Sequence, residues 1–329
     1  MFAGHTYDDI LLIPTESLES RSTPSLKTRL TTNISMDIPI ISANMDTVTG
    51  YDLAYVMSEN GGCGFLCRDT KERAMAELVE KSIYEFSDDW APAVPTLGIG
   101  DKHVEVLKSL VPIQPKAICI DIANAYSTTI QTMVELCQMY LPDTDIIVGN
   151  VASAPGALFL ADLGVHAIKV GIGPGSVCTT RLQTGFGVPQ FTAIQMVATG
   201  LQHHGHNIPI IADGGLKYSG DIVKAIYAGA DSVMSGRFFA GCDESLGGLG
   251  YRGMASSEAR GCTKQTAEGI SISVDSTGPC RDIIQELCGG IRSGMSYAGC
   301  KTIEELRFSR TISYVVQTQN GMIESGTRI

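Results

Sequence analysis

Eight short apolar, β-branched runs punctuate this 329-residue chain, and they constrain its fold more than any other feature. They are IPIISAN (38–44), GGCGFLC (61–67), APAVPTLGI (91–99), AICIDIA (117–123), DIIVGNV (145–151), AIKVGIG (167–173), IPIIADG (208–214) and SVMSGRF (232–238). Strands that are apolar throughout, rather than on alternate residues, belong to a parallel sheet covered on both faces. Intervening stretches such as KERAMAELVEKSIYEF and GDIVKAIYAGA have the spacing of amphipathic crossover helices. Eight such units predict an α/β TIM (β/α)8 barrel, whose chemistry sits at the C-terminal ends of its strands. The competing open, doubly wound sheet has fewer strands and a GxGxxG near the first, which is missing here. A barrel uses roughly 250 residues, so chain remains for an N-terminal segment and a flap. The stretch 240–298 follows the eighth run and is Gly- and Ser-rich, then charged, then helical. It is expected to be a long flap and insertion, and residues 1–329 are expected to form a single catalytic domain.

Charge narrows the partners. A net charge of −11 opposes binding to a nucleic-acid polymer, whereas one nucleotide phosphate needs only a local pocket of N–H groups. Charged residues make up 18% of the chain, below the ~25% of an average domain, as expected if subunit contacts cover part of the surface. No apolar window reaches membrane-span length. The start, MFAGHTYDDILLIP, lacks a basic signal region, so a cytoplasmic location is expected. Ten cysteines without a CxxC pair are read as reduced thiols, most of them small core residues. His203, His204 and His206 are read as a solvated helix end away from the site rather than as metal ligands.

Three groups of residues carry chemistry. In GIGPGSVCTTR (171–181), Gly171, Gly173 and Gly175 permit close backbone approach to a ligand. Ser176 offers a hydroxyl to a phosphate, and Cys178 stands where a reactive thiol would, flanked by Thr179, Thr180 and Arg181. The bland alternative is a tight turn with one buried cysteine. In IADGG (211–215), Asp213 suits sugar hydroxyls, while Gly214 and Gly215 expose N–H groups. Gly236 and Arg237 close the eighth strand, and loops after strands seven and eight are the usual phosphate site of such barrels. Asp121 and Asn124 end the fourth strand, where the carboxylate would orient a nicotinamide ribose or a base, or else cap the next helix.

GIGPGSVCTTR, IADGG, YRGMAS (251–256), AEG (267–269) and GGIRSGMSYAG (289–299) resemble the IMP dehydrogenase/GMP reductase family. YDDILLIP (7–14) and SANMDTVT (42–49) extend that resemblance over nearly the whole chain. It implies a homotetrameric barrel whose cysteine attacks C2 of a purine. The catalytic set would be Cys178, Thr180 and Glu268. Ser176, Asp213, Gly214, Gly215, Gly236, Arg237, Tyr251, Gly253 and Met254 would hold the substrate. Asp121, Asn124 and Arg181 would lie on the cofactor side, and carbonyls at Gly173 and Gly175 would take a monovalent cation such as K+. The chain passes from its second run to its third without an inserted regulatory domain of the CBS type. Between Ser257 and Glu268 it reads EARGCTKQTA, without the Arg-Tyr pair that dehydrogenases place there. Together with Glu268 and CTTR, this favours the reductase branch: GMP and NADPH converted to IMP and ammonia. The alternatives are an IMP dehydrogenase without its regulatory domain (IMP and NAD+ to XMP), an FMN-dependent barrel oxidoreductase, and a non-catalytic nucleotide sensor.

Overall fold

The computed structural model describes residues 3–18, 20–68, 72–85, 93–260 and 266–324. All eight runs contribute strands to one parallel sheet. The strands are Ile40–Ser42, Cys63–Phe65, Ala93–Leu97 interrupted at Pro95, Ala117–Asp121, Asp145–Val151, Ala167–Val170, Ile210–Asp213 and Ser232–Ser235. The eighth closes on the first through Val233 opposite Ile40 and Ser235 opposite Ser42. The third strand divides because proline has no N–H to give the ladder. Its first half pairs with the second strand and its second half with the fourth. The ring is therefore the expected (β/α)8 barrel. Residues 91 and 92 of the third run lie outside the described residues.

Side chains alternate across each strand, and this decides what fills the interior. Ile41, Cys63, Phe65, Val94, Cys119, Ile147, Ala167, Ile211 and Met234 form a dry inner cluster. Leu30 and Met36, from the hairpin Thr28–Arg29/Ser35–Met36, plug its floor. The larger core lies between strands and helices. Helix starts follow local capping chemistry. Ser127 caps Thr128–Tyr140 and Ser153 caps Ala154–Asp162, each accepting from a backbone N–H of the first turn. Asp121 is therefore not the cap of its helix.

The stretch 240–298 divides in two. An antiparallel hairpin, Gly250–Arg252 with Ser271–Ser273, stands over the mouth, and residues 261–265 of the expected flap lie outside the described residues. Cys280–Tyr297 is instead a barrel helix, packed on Ser219–Tyr227 and on Tyr51–Glu59. Its buried Ile284, Leu287, Ile291 and Met295 form an apolar stripe that a mobile flap would have no use for. At the other end of the chain, Ile10–Leu12 pairs with Tyr314–Val316, tying the N-terminal segment to the C-terminal one.

Candidate active site

The sixth strand stops at Val170, and the glycines that follow turn the chain across the mouth. A Cβ on Gly171 (φ +148°) would stand 2.3 Å from the Asp213 carbonyl, and one on Gly173 (φ +76°) 2.6 Å from the Arg181 side chain. Only glycine fits either place. The turn closes where the Cys178 N–H donates to the Gly175 carbonyl at 3.0 Å. Among the described cysteines, Cys178 alone is not buried. Its thiol donates to Thr180 Oγ1 at 3.2 Å, and the same hydroxyl can donate to the sulfur when the thiol has lost its proton.

The base of the flap is laced to this loop. Thr179 N–H donates to the Glu268 carbonyl at 2.8 Å, Ile270 N–H donates to the Val177 carbonyl at 3.0 Å, and Cys178 faces Gly269 in an antiparallel bridge. Gly253 lies so close below that a Cβ would meet the Val177 carbonyl at 2.9 Å. Glu268 is thereby held half-buried, one pairing position from the cysteine. Arg252 forks onto Asp46, at 2.6 Å for its shortest contact, and the Asp46 N–H donates to Met254 Sδ at 3.3 Å. The hairpin is thus fastened to the loop after the first strand.

The expected phosphate residues converge. Gly214 and Gly215 (φ +86° and +81°) pack against Pro174 of the cysteine loop. Tyr251 is buried and pairs with the Ser176 side chain. Its hydroxyl would lie 2.9 Å from a Cβ on Gly236. Burial above all, with the charges of Asp213 and Cys178, pushes the Tyr251 phenol upward against the opposing pull of Ser176 and Arg237. It therefore stays a neutral donor beside the cradle. Arg237 is exposed at the rim.

The other side of the mouth is carboxylate-lined. Asp213 Oδ2 accepts from Lys169 Nζ at 2.5 Å and from Asn150 Nδ2 at 2.9 Å. Asp121 accepts from Asn44 Nδ2 at 2.8 Å and lies 3.3 Å from the same ammonium. A lone buried ammonium costs several kcal/mol. Each carboxylate returns about 4 kcal/mol at an effective dielectric of ~20. The carboxylates win: burial lowers the Lys169 pKa, but Asp121 and Asp213 raise it further, and the net shift is well upward. Asn124 is exposed and accepts from the Tyr126 N–H at 3.3 Å. Arg181 differs from its expected place on the cofactor side. Its Nε donates to the Ile172 carbonyl at 3.0 Å and its Nη2 to the Val188 carbonyl at 2.5 Å, so it braces the cysteine loop from within.

Lys169, Asn150, Asn44, Arg68 and Gln190 were not picked out in the sequence. Arg68 donates to the Asp121 carbonyl at 2.8 Å, and Gln190 Nε2 bridges the Val170 and Asp213 carbonyls at 2.8 and 3.2 Å. Lys169 had a usable signal, because a lysine inside an apolar strand is buried only with partners. His203 and His204 end the helix Gln190–His203 at the N-terminal side of the barrel. No described helix is long and apolar enough to cross a membrane.

These parts define a (β/α)8 barrel whose mouth brings together an accessible thiol, glycine-lined loops and a pair of carboxylates. The chain belongs to the IMP dehydrogenase/GMP reductase family, whose domain description matches residues 4–328. That places it among the nicotinamide-dependent oxidoreductases of purine nucleotide metabolism. It is 35% identical to inosine-5'-monophosphate dehydrogenase of Borreliella burgdorferi, over 92% of each chain. With the protein of that name from Cryptosporidium parvum it shares 35% identity over 98% of this chain and 94% of the other. For the Haemophilus influenzae protein the figures are 30%, 92% and 91%.

Proposed function

We propose that the chain oxidises IMP to XMP with NAD+, through a covalent bond between Cys178 and C2 of the purine. Similarity to proteins named inosine-5'-monophosphate dehydrogenase supports this direction over the GMP reduction favoured by the flap sequence. The observation that carries the chemistry is the position of Cys178, half-exposed between the cradle and the flap base, with Thr180 on its sulfur. Ser176, Gly214, Gly215, Gly236, Arg237 and Tyr251 hold the 5'-phosphate, and Asp213 holds the ribose. Gly253 and Met254 lie along the base.

The Cys178 thiolate adds to C2 of IMP. Asp121 and Asn124 would hold NAD+, which would supply the acceptor for the hydride leaving C2. Water then attacks the thioimidate at C2, the sulfur departs, and XMP is released. Glu268 and Thr180 take up the proton of that water. Splitting one displacement into two steps is the advantage of the covalent route. The carbonyls of Gly173, Gly175 and Cys178 would hold a monovalent cation such as K+, which would stiffen the cysteine loop. The chain acts as one catalytic domain in a homotetramer. Leu182 (84% exposed) and Phe186 (78% exposed), beside the cysteine loop, are the apolar side chains a neighbouring subunit would cover.

A second reading has its own observation. Residues 257–268 contain no tyrosine, so the Arg-Tyr pair of dehydrogenases is missing from the flap. In that reading Cys178 adds to C2 of GMP and Glu268 protonates the departing ammonia; NADPH would supply the hydride for C2, and the thiolate leaves with IMP free. Two assays separate them: IMP with NAD+, and GMP with NADPH, each followed by the absorbance of reduced nicotinamide. A rise in the first with no fall in the second supports dehydrogenation. The opposite pair of results overturns it.

A further inference from the structure

We propose that Lys169 is a positioning residue. Its buried ammonium holds the Asp213 and Asp121 side chains in place together, so that one charge seats the nucleotide ribose and the cofactor side at once. The proposal deepens the functional reading above and rests on it.

Strand alternation aims Lys169 inward. Ala167 lines the dry interior, so Lys169, two residues on, occupies the layer above, level with the mouth. Cys119 and Ile211 face the same interior, which sends Asp121 and Asp213 into that layer from the fourth and seventh strands. The fifth strand makes room for the lysine stem. A Cβ on Gly149 would lie 2.4 Å from the Lys169 Cβ, so a side chain there is excluded. The Lys169 side chain is 1% exposed, and its ammonium stands 2.5 Å from Asp213 Oδ2 and 3.3 Å from Asp121 Oδ1, with Met234 Sδ at 3.6 Å as a further contact.

Two negative charges and one positive leave the cluster with a net charge of −1. The groups facing it are Cys119 below, Tyr7 and Tyr251 beside Asp213, and Arg68 against the Asp121 carbonyl. Asn150 and Asn44 each donate to one carboxylate, which fixes the carboxylate planes without supplying charge. Without the lysine, two like charges would share a partly buried site, and one would hold its proton to higher pH. A protonated Asp213 loses acceptor capacity toward ribose hydroxyls. The lysine therefore keeps the mouth in its binding state by acting through the two carboxylates it contacts.

The test uses the full-length protein and three variants: Lys169→Met, Lys169→Arg and Lys169→Met/Asp121→Asn. In Lys169→Met the KM for the nucleotide should rise about ten- to hundredfold. The acid limb of its kcat/KM profile should move up by about one pH unit or more. Lys169→Arg restores the charge and should keep the wild-type acid limb. The double variant returns the cluster to −1 and should bring the limb back toward wild type, whatever its KM. A Lys169→Met limb that coincides with wild type overturns the proposal. If that variant does not fold, the double variant carries the test, and a raised limb there overturns it. Should wild type turn over neither substrate pair, the functional reading fails on its own. Carbon-13 titration of the Asp121 and Asp213 carboxyls in wild type and in Lys169→Met then decides the electrostatics. A titration that the substitution moves upward supports the role of Lys169, and one that it leaves unmoved refutes it.

Discussion

The two ends of the barrel each carry a buried ion cluster, built on opposite plans. At the floor, one carboxylate meets two guanidiniums. Asp231 accepts from Arg29 Nη2 at 2.8 Å and lies 3.1 Å from Arg307 Nη1. Its other oxygen accepts from the Ile210 N–H at 2.9 Å. Arg307 and Arg29 are committed further, to the carbonyls of Gly229 and Asn207. At the mouth, one ammonium meets two carboxylates and leaves negative charge facing open space. Glycine loops surround the mouth, whereas helix ends and a hairpin line an open cleft at the floor, in which the chain's own groups already occupy Asp231. A cluster whose valences are filled by the chain stabilises the fold. One with acceptors left over stands ready for a ligand.

Four substitutions would break or sharpen that contrast. At the mouth, Cys178→Ala should lower turnover about a thousandfold or more while leaving nucleotide affinity within about threefold by calorimetry. Turnover near wild type would end the covalent route. Peptide mapping after mild alkylation supports the same test. Cys178 alone among the described cysteines is not buried, so it should react first, and nucleotide should protect it. At the floor, Asp231→Ala strands two guanidiniums and should cost about 3–5 kcal/mol in urea unfolding, with KM unchanged in the folded fraction. A large KM change would erase the distinction between the two ends.

Smaller effects come from the sulfur's partner and the cradle. Thr180→Val should reduce kcat about ten- to hundredfold. The thiolate loses its donor in this variant, and an unchanged kcat would remove Thr180 from the chemistry. Gly236→Ala puts a methyl 2.6 Å from Met45 Sδ and 2.9 Å from the Tyr251 hydroxyl. It should raise the nucleotide KM about tenfold with little change in kcat, and an unchanged KM would move the phosphate elsewhere.

Much of the site was legible because its residues are contiguous. GIGPGSVC joins a strand end, obligatory glycines and a thiol within one short loop, and IADGG and SGR repeat the pattern at the next two strands. Other features were not legible. RDIIQELCGGIRSGMSY follows a Gly- and Ser-rich flap in sequence, yet its apolar stripe belongs to the barrel wall. Arg181 stands beside the cysteine in the chain, yet its guanidinium points back into the loop.

By itself, the sequence determined the eight-stranded barrel and the loops that carry its chemistry, since both rest on local periodicity and on glycines that nothing else can replace. Only the tertiary structure decided that the flap base pairs with the cysteine loop, and that Lys169 lies between Asp121 and Asp213. Those contacts join residues from separate strands and loops. Barrel closure and strand register set their distances, and no local pattern encodes either.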